Sequence, residues 1–377
     1  MKILCVLGTR PEAIKMAPIV RLLKQTANLE ARVCVTAQHR QMLDQALALF
    51  EIKPDYDLDL MRDGQSMAQI SDGIFTHLDP ILEAFQPDWV LAVGDTTTVL
   101  TTSLLAFYRK IKFGHVEAGL RTHDKWHPFP EEINRRIATV TADLHFAPTQ
   151  WSKGNLLHEG VDPAKIHVTG NSVIDALNYV AKQDEPKEIK ELLASLGMVS
   201  WRLGATRNDE KKIILVTAHR REDFGKPMEN ICHAIRELAS REDVEIVYPV
   251  HLNPNVQEPV NRILKGTHRI TLLPPLDYLP LVHLMKRAYL ILTDSGGIQE
   301  EAPSFGIPVL VMRETTERPE GVEAGILKLV GTDSTRIVNE ASRLLDDPSA
   351  YAKMARAANP YGDGHAAERI VEALLKA

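Results

Sequence analysis

The stretch WVLAVGDTTTVLTTSLLAFYRKIKFGHVEAGLR, residues 89–121, decides the fold. It opens with an apolar run at 89–93, passes through a polar turn and a helical segment, and reaches a second apolar run at 113–117. Continuous apolar runs that alternate with helical segments are typical of parallel strands buried on both faces. The stretch therefore predicts a strand–helix–strand unit of an α/β protein.

The same pattern extends over the whole chain. Further strands are predicted at residues 2–7, 31–36, 144–147 and 166–169 in the first half, and at 212–217, 244–250, 270–273, 288–293, 309–312 and 328–330 in the second. A polar, turn-rich stretch at 183–212 separates the halves, and residues 171–181 predict a connecting helix. A chain of 377 residues also suits two domains at about 150 residues each. We therefore predict two doubly wound α/β domains, residues 1–170 and 171–360.

Composition excludes several classes of protein. The net charge of −6 gives no global basic field for binding nucleic acid. No apolar run approaches the about 20 residues that span a bilayer, and residues 1–7 predict a first strand rather than a signal peptide. The three cysteines, Cys5, Cys34 and Cys232, are too few and too widely spaced for a disulfide framework or a zinc site. These features predict a cytoplasmic protein without a metal.

Polar residues follow five of the predicted strands, at Arg10, Asp95, Glu117, His219 and Asp294. Ligands of open α/β sheets bind outside the carboxyl ends of the strands. The set therefore predicts a binding site at these strand ends.

The segment DSGGIQEE, residues 294–301, is the sharpest local signal. Two glycines permit close backbone approach, and a following helix would present free N–H groups to a phosphate, with the Ser295 hydroxyl as a further donor. Glu301 is placed to bind ribose hydroxyls. The alternative is that Asp294 or Ser295 only caps the helix.

The segment GTRPEAIK, residues 8–15, predicts a second strand-to-helix turn with cations at an anion-binding terminus. Arg10 and Lys15 are the candidates, and solvated surface charges are the alternative.

Asp95 and Glu117 at strand ends, with Glu131, are candidates for general acid–base work. A helix cap is the alternative for Asp95, and an i,i+4 ion pair with Arg135 is the alternative for Glu131.

Motifs for common cofactors are absent from the sequence. There is no P-loop, no His-Glu-x-x-His and no paired-cysteine motif. The near-match to a dinucleotide fingerprint, GDGHAA at 362–367, has no preceding strand and only ten residues after it. We therefore expect no nicotinamide cofactor.

Eight blocks of the sequence, taken together, resemble the non-hydrolysing UDP-N-acetylglucosamine 2-epimerases of bacteria. They follow the family's order over nearly the whole chain: residues 8–15 (GTRPEAIK), 94–97 (GDTT), 115–121 (HVEAGLR), 130–135 (PEEINR), 217–222 (TAHRRE), 293–301 (TDSGGIQEE), 316–320 (TERPE) and 359–364 (NPYGDG). The resemblance implies a GT-B fold, two Rossmann-like domains with the active site in the cleft between them and the final helix, 361–377, packed back on the first. It also implies a cytoplasmic homodimer that makes UDP-N-acetylmannosamine for surface polysaccharides without a cofactor.

The resemblance also implies site residues. By the family pattern, Asp95, Glu117, Glu131 and His219 are the catalytic candidates. The substrate contacts fall on Arg10, Lys15, Asp95, Glu117, Arg135, His219, Leu276, Leu281, Ser295, Gly296, Gly297, Glu301 and Arg318.

Two positions depart from the family pattern. Leu276 stands beside the implied uracil pocket where relatives can carry Gln, so a contact there would use the backbone. Some relatives bind a second substrate molecule as an activator, with equivalents of Gln38, Gln41 and Glu131 and an Arg, and this chain has Gly64 at that Arg position.

The implied chemistry is elimination. The C2 proton has no neighbouring carbonyl to acidify it, so an enzyme must either oxidise an adjacent carbon or eliminate UDP to give 2-acetamidoglucal and then add UDP back. Without a nicotinamide site, elimination is the better fit. Three alternatives stay open: a GT-B glycosyltransferase with a UDP-sugar donor, a non-catalytic UDP-sugar sensor, and a hydrolysing epimerase.

Overall fold

The computed structural model describes residues 1–37, 40–62, 64–198 and 211–377, although not the side chain of Gln41. In this part the chain divides into two compact units, Met1–Asn178 with Tyr361–Ala377, and Tyr179–Pro360. Each unit is built on a parallel sheet with interleaved helices, which confirms the predicted α/β class with two Rossmann-like, doubly wound domains.

The first unit carries a seven-stranded sheet in its described residues, with the spatial order β3-β2-β1-β4-β5-β6-β7. The strands are β1 (Lys2–Leu7), β2 (Glu30–Val35), β3 (Tyr56–Asp57), β4 (Trp89–Val93), β5 (Lys112–Val116), β6 (Leu144–Ala147) and β7 (Ile166–Val168). The helices that follow them are α1 (Arg10–Gln25), α2 (Arg40–Leu49), α3 (Met67–Phe85), α4 (Thr97–Tyr108), α5 (Glu131–Thr141), α6 (Gln150–His158) and α7 (Ser172–Val180).

The second unit carries a six-stranded sheet in its described residues, with the order β10-β9-β8-β11-β12-β13. The strands are β8 (Lys212–Thr217), β9 (Val244–Pro249), β10 (Ile270–Leu273), β11 (Leu290–Thr293), β12 (Val309–Val311) and β13 (Leu327–Leu329). The helices are α8 (Lys187–Ser195), α9 (Lys226–Leu238), α10 (Pro254–Leu264), α11 (Tyr278–Arg287), α12 (Gly296–Glu301), α13 (Pro319–Glu323), α14 (Ser334–Asp346) and α15 (Pro348–Ala355).

The predicted strands all form, each within two residues of its predicted ends. Their continuous apolar runs are buried on both faces, as in β4, where all five residues are buried. Two elements are not predicted by the sequence pattern: β3, which has only two residues, and α8, which lies inside the stretch predicted to be turn-rich. Residues 199–210 of that stretch lie outside the described part.

The last helix, α16 (Ala366–Lys376), belongs to the first unit. Its first N–H groups, on Ala366 and Ala367, donate to the Asp175 carboxylate on α7 at 3.2 and 2.9 Å. The compact unit reaches Asn178, so it includes most of α7 and its contact with the C-terminal helix, whereas the domain boundary at residue 170 stays a prediction.

Strand order reverses direction at one place in each sheet, between β1 and β4 and between β8 and β11. At such a switch point the helices that leave neighbouring strands go to opposite faces, so a crevice opens beyond the carboxyl ends. Residues 8–15 and 94–97 follow β1 and β4, and residues 217–222 and 293–301 begin at the last residues of β8 and β11. Four of the singled-out motifs thus lie at the two switch points.

Candidate active site

Asp95 lies directly beyond β4 at the switch point of the first unit. Its Oδ2 accepts a hydrogen bond from Nε of Arg135 at 2.9 Å, and a second Arg135 nitrogen lies 2.8 Å away. Burial opposes the charge of Arg135, but Asp95 and Glu132 raise its pKa above the ordinary value. The cap of α4 is Thr96, so the alternative of Asp95 as a helix cap is wrong.

Glu117 lies beyond β5, and its backbone adopts the left-handed region with φ 61°. Its side chain is 3% exposed, and its two oxygens accept from Nζ of Lys15 at 2.7 and 2.5 Å. A Cβ added to Gly94 would lie 3.5 Å from Oε2 of Glu117, so the β4 turn passes directly beside this carboxylate. Lys15, predicted to contact substrate, therefore lies against the acid–base candidate.

The two carboxylates thus form ion pairs with different cations. Asp95 is paired with Arg135 from α5, and Glu117 is paired with Lys15 from α1. The expected i,i+4 pair of Arg135 with Glu131 is replaced by ion pairs of Arg135 with Asp95 and Glu132. Glu131 itself is the half-buried first residue of α5. Arg10 is the half-buried first residue of α1.

Glu12 is a buried carboxylate that is not among the predicted site residues. Its Oε2 accepts from the backbone N–H groups of Gly8 and Thr9 at 2.8 and 2.7 Å, and its Oε1 accepts from the Thr96 hydroxyl at 2.6 Å. Burial raises the pKa of Glu12, although these hydrogen bonds oppose the rise. Glu12 therefore ties the turn after β1 to the turn after β4. The Thr-x-x-Glu spacing of a capping box was the available signal.

Asp294 is a buried residue that directly follows β11, at the switch point of the second unit. Its Oδ2 accepts from the backbone N–H groups of His219 and Arg220 at 2.5 and 2.7 Å, and Nδ1 of His219 lies 3.2 Å from Oδ1. Burial opposes ionisation, but these contacts lower the pKa of Asp294 below its ordinary value. Asp294 does not cap α12, because the N-cap residue is Ser295. Its carboxylate instead orients His219 at the end of β8.

The turn into α12 brings Gly296 against Arg318. A Cβ on Gly296 would lie 2.7 Å from one guanidinium nitrogen of Arg318, so only glycine permits this approach. Nε of Arg318 donates to Glu300 at 2.5 Å, which fixes the guanidinium over the turn. The Ser295 side chain makes no capping hydrogen bond to α12. The alternative that its hydroxyl only caps the helix is therefore wrong.

Glu301 is the last residue of α12. Its Oε2 accepts from the Tyr278 hydroxyl at 2.8 Å, and a Cβ on Gly297 would lie 3.3 Å from its Oε1. Tyr278 begins α11, with Leu276 two residues before it and Leu281 within the first turn, both half-buried. The residue predicted to bind the ribose, at the end of α12, is therefore hydrogen-bonded to the segment that carries the two residues predicted to contact the uracil.

The predicted activator site is described only in part. Gln38 and the side chain of Gln41 lie outside the described residues. Gly64 has φ 76°, and a Cβ built there would meet nothing within 4 Å. The described residues contain no group of three or more His, Cys, Asp or Glu placed to hold a metal ion. No helix in the described ranges is long and apolar enough to cross a membrane.

Comparisons with known proteins agree on one family. The family model for UDP-N-acetylglucosamine 2-epimerase matches residues 21–375. A UDP-N-acetylglucosamine 2-epimerase of Yersinia pestis is 58% identical over 99% of this chain and 98% of its own length.

Solved structures agree with the sequence relatives. The UDP-N-acetylglucosamine 2-epimerase of Neisseria meningitidis, solved with UDP-N-acetylglucosamine bound, is 50% identical over the whole of both chains with a TM-score of 0.91. An S. aureus protein solved with UDP is 49% identical, with a TM-score of 0.88, over 100% of this chain and 95% of its own. The predicted GT-B type of fold is confirmed by these neighbours. On the family match and the full-length relatives, this chain belongs to the UDP-N-acetylglucosamine 2-epimerase family.

Proposed function

We propose that this chain reversibly inverts C2 of UDP-N-acetylglucosamine, giving UDP-N-acetylmannosamine for surface polysaccharide synthesis. The observation that supports the proposal is that the two switch points carry different kinds of functional group. Carboxylates paired with cations lie beyond β4 and β5, whereas an imidazole, a guanidinium and a glycine turn lie beyond β8 and β11. The full-length relatives of this family support the choice of substrate.

The reaction proceeds by elimination and re-addition. A carboxylate takes the C2 proton, the C1–O bond breaks, and UDP leaves with the bonding electron pair, which gives 2-acetamidoglucal. A proton is then delivered to the opposite face of C2, and the UDP oxygen adds back to C1. Both directions are redox-neutral, so the proposal needs no cofactor.

The first unit supplies the proton-transfer groups. Asp95, Glu117 and Glu131 are assigned to this work, and Arg135 forms an ion pair with Asp95 and Lys15 one with Glu117. Arg10, at the start of α1, is assigned to the departing phosphate.

The second unit supplies the grip on UDP. Arg318 and His219 are assigned to the diphosphate, because charge develops on the leaving oxygen and preorganised donors stabilise it. Ser295, Gly296 and Gly297 provide the close backbone approach. Glu301, oriented by Tyr278, is assigned to the ribose hydroxyls, and Leu276 and Leu281 to the uracil.

The enzyme is further proposed to work in the cytoplasm as a homodimer. Support for self-association comes from exposed apolar side chains on α4 and α5, which pack together: Phe107, Tyr108 and Val140 are 63, 66 and 85% exposed. Sedimentation should give the mass of two chains, and Val140→Asp should lower it toward one. A wild-type chain that sediments as a monomer at micromolar concentration contradicts the dimer.

An assay without acceptor tests the function. Purified protein is incubated with UDP-N-acetylglucosamine alone, and the nucleotide sugars are separated by anion exchange. We expect a stable mixture of two UDP-sugars, and the same mixture from either starting sugar. Recovery of unchanged substrate would indicate a transferase or a sensor, and release of UDP in step with free N-acetylmannosamine would indicate a hydrolase. Asp95→Asn should slow the reaction by about 10²–10⁴.

A further inference from the structure

The backbone around Asp95 is held by N–H donors from two other elements. Nε2 of His115, on β5, lies 2.7 Å from the Gly94 carbonyl oxygen. Nδ2 of Asn134, on α5, donates to the Asp95 carbonyl oxygen at 2.8 Å. The Gly94 N–H donates to the carbonyl oxygen of Val116 at 3.0 Å. Two successive carbonyl groups are thus each fixed by a side chain.

The protonation of His115 follows from its partner. A carbonyl oxygen only accepts, so Nε2 must carry the hydrogen. His115 is 0% exposed, and burial lowers its pKa to about 4, so the ring is neutral at neutral pH. Nδ1 then has no hydrogen, and it is buried without a hydrogen-bond partner among the described residues.

This arrangement is unfavourable for a residue that serves only to fill the core. A buried nitrogen without a partner destabilises the fold, and an apolar ring of the same size would avoid that cost. Phe113, two residues earlier on the same face of β5, stacks on the imidazole, so part of the surroundings of this ring is apolar and aromatic. The bond to Gly94 is therefore the feature that distinguishes His115 from a phenylalanine.

Gly94 is the residue that most needs such a restraint. Its φ of 85° lies in the left-handed region, and a residue without Cβ has more freedom to rotate its peptide groups than any other. Asp95 follows it directly, and Glu117, the residue directly after β5, lies two positions after His115. A bond between His115 and Gly94 therefore links the backbone next to Asp95 to the strand that directly precedes Glu117.

We propose that His115 is a positioning residue, which uses its Nε2–H bond to Gly94, with Asn134 holding the next carbonyl, to set Asp95 relative to Glu117. The proposal rests on the proposed epimerase function. A displacement of about 1 Å in a reacting group can cost about 10²-fold in rate. Loss of the bond should therefore lower kcat and leave the affinity for UDP, whose contacts other than Arg10 are assigned to the second unit, unchanged.

His115→Phe removes the donor and keeps the ring, whereas the side-chain amide of His115→Gln can reach the same carbonyl. We expect His115→Phe to lower kcat about 10–100-fold with KM and UDP affinity within twofold of wild type, and His115→Gln to recover most of the loss. Misplaced proton-transfer groups should also raise the amount of UDP and glycal released per epimerisation. A loss of folded protein would lower both products in proportion.

His145→Phe is the matched control. His145 lies opposite His115 in the register of β5 and β6, is equally buried, and also has a buried Nδ1 without a partner among the described residues. It lies on the strand farther from β4, so its replacement should leave kcat and the release ratio unchanged.

The proposal is overturned if His115→Phe keeps the wild-type kcat and release ratio, or if it raises KM alone. It is also overturned if the control loses as much kcat. Should His115→Phe not fold, His115→Asn, whose amide is too short to reach Gly94, is compared with His115→Gln; equal activity of the two overturns the proposal. A wild-type enzyme that does not epimerise would instead refute the proposed function.

Discussion

The ion pair between Lys15 and Glu117 offers a quantitative test of the first switch point. The Lys15 side chain is 18% exposed and the Glu117 side chain 3%, with Nζ 2.7 Å from Oε1. Removing one partner of a buried pair costs about 3–5 kcal/mol, since the other charge stays buried without compensation. Because Lys15 is partly exposed, we expect the lower end, about 3 kcal/mol, for Lys15→Met.

The double variant Lys15→Met/Glu117→Gln should be more stable than Lys15→Met, because it no longer buries an uncompensated charge. We expect a coupling free energy of about 2 kcal/mol between the two substitutions. Urea unfolding is followed by tryptophan fluorescence, since Trp89, Trp126 and Trp151 all belong to the first unit. With a slope of about 3 kcal/mol/M, Lys15→Met should lower the midpoint by about 1 M.

Lys376→Met is the control, because Lys376 forms an ion pair with Glu372 that is exposed at 71 and 65%. That substitution should leave the urea midpoint unchanged. Additive effects of Lys15→Met and Glu117→Gln, with a coupling below about 0.5 kcal/mol, would refute the view that the two charges depend on each other.

Two further predictions concern the second unit. Gly296→Ala places a Cβ 2.7 Å from the Arg318 guanidinium, so it should lower the affinity for UDP, measured by calorimetry, about tenfold or more. The control Gly154→Ala, whose added Cβ has nothing within 4 Å, should leave the affinity for UDP unchanged. Asp294→Asn weakens two buried hydrogen bonds to a carboxylate and should cost about 2 kcal/mol at pH 7. Because the folded-state pKa of Asp294 is lowered, its contribution is fully present above the unfolded value of about 4 and is lost as pH falls through the folded value. Thermal melts of wild type and variant should converge below pH 4, and parallel curves would contradict this assignment.

The sheet framework could be predicted from local pattern because both of its sheets are parallel and buried. Apolar runs such as residues 89–93 and 212–217 need no knowledge of their neighbours to be recognised as strands. The carboxyl ends of those strands then indicated where charged residues meet. The two-residue β3 carries no such pattern, since its backbone pairing with β2 is set by tertiary structure.

The pairing of charges could not be predicted in the same way. Asp95 and Arg135 are forty residues apart, and periodicity within one helix favoured Glu131 as the partner of Arg135. His115 and Asp294 are buried polar groups whose partners are backbone atoms of other turns, and buried Glu12 reaches another turn through the Thr96 hydroxyl. A sequence shows which groups are present at a strand end, but the bonds that orient them depend on how the elements pack.

Deuterium incorporation tests the central claim most directly. The enzyme is incubated with UDP-N-acetylglucosamine in heavy water without acceptor, and C2 of both UDP-sugars is followed by NMR and mass spectrometry. Proton removal by a carboxylate and redelivery to the other face predict one deuterium at C2 of the UDP-N-acetylmannosamine formed. UDP-N-acetylmannosamine that retains the original hydrogen at C2 would contradict the account.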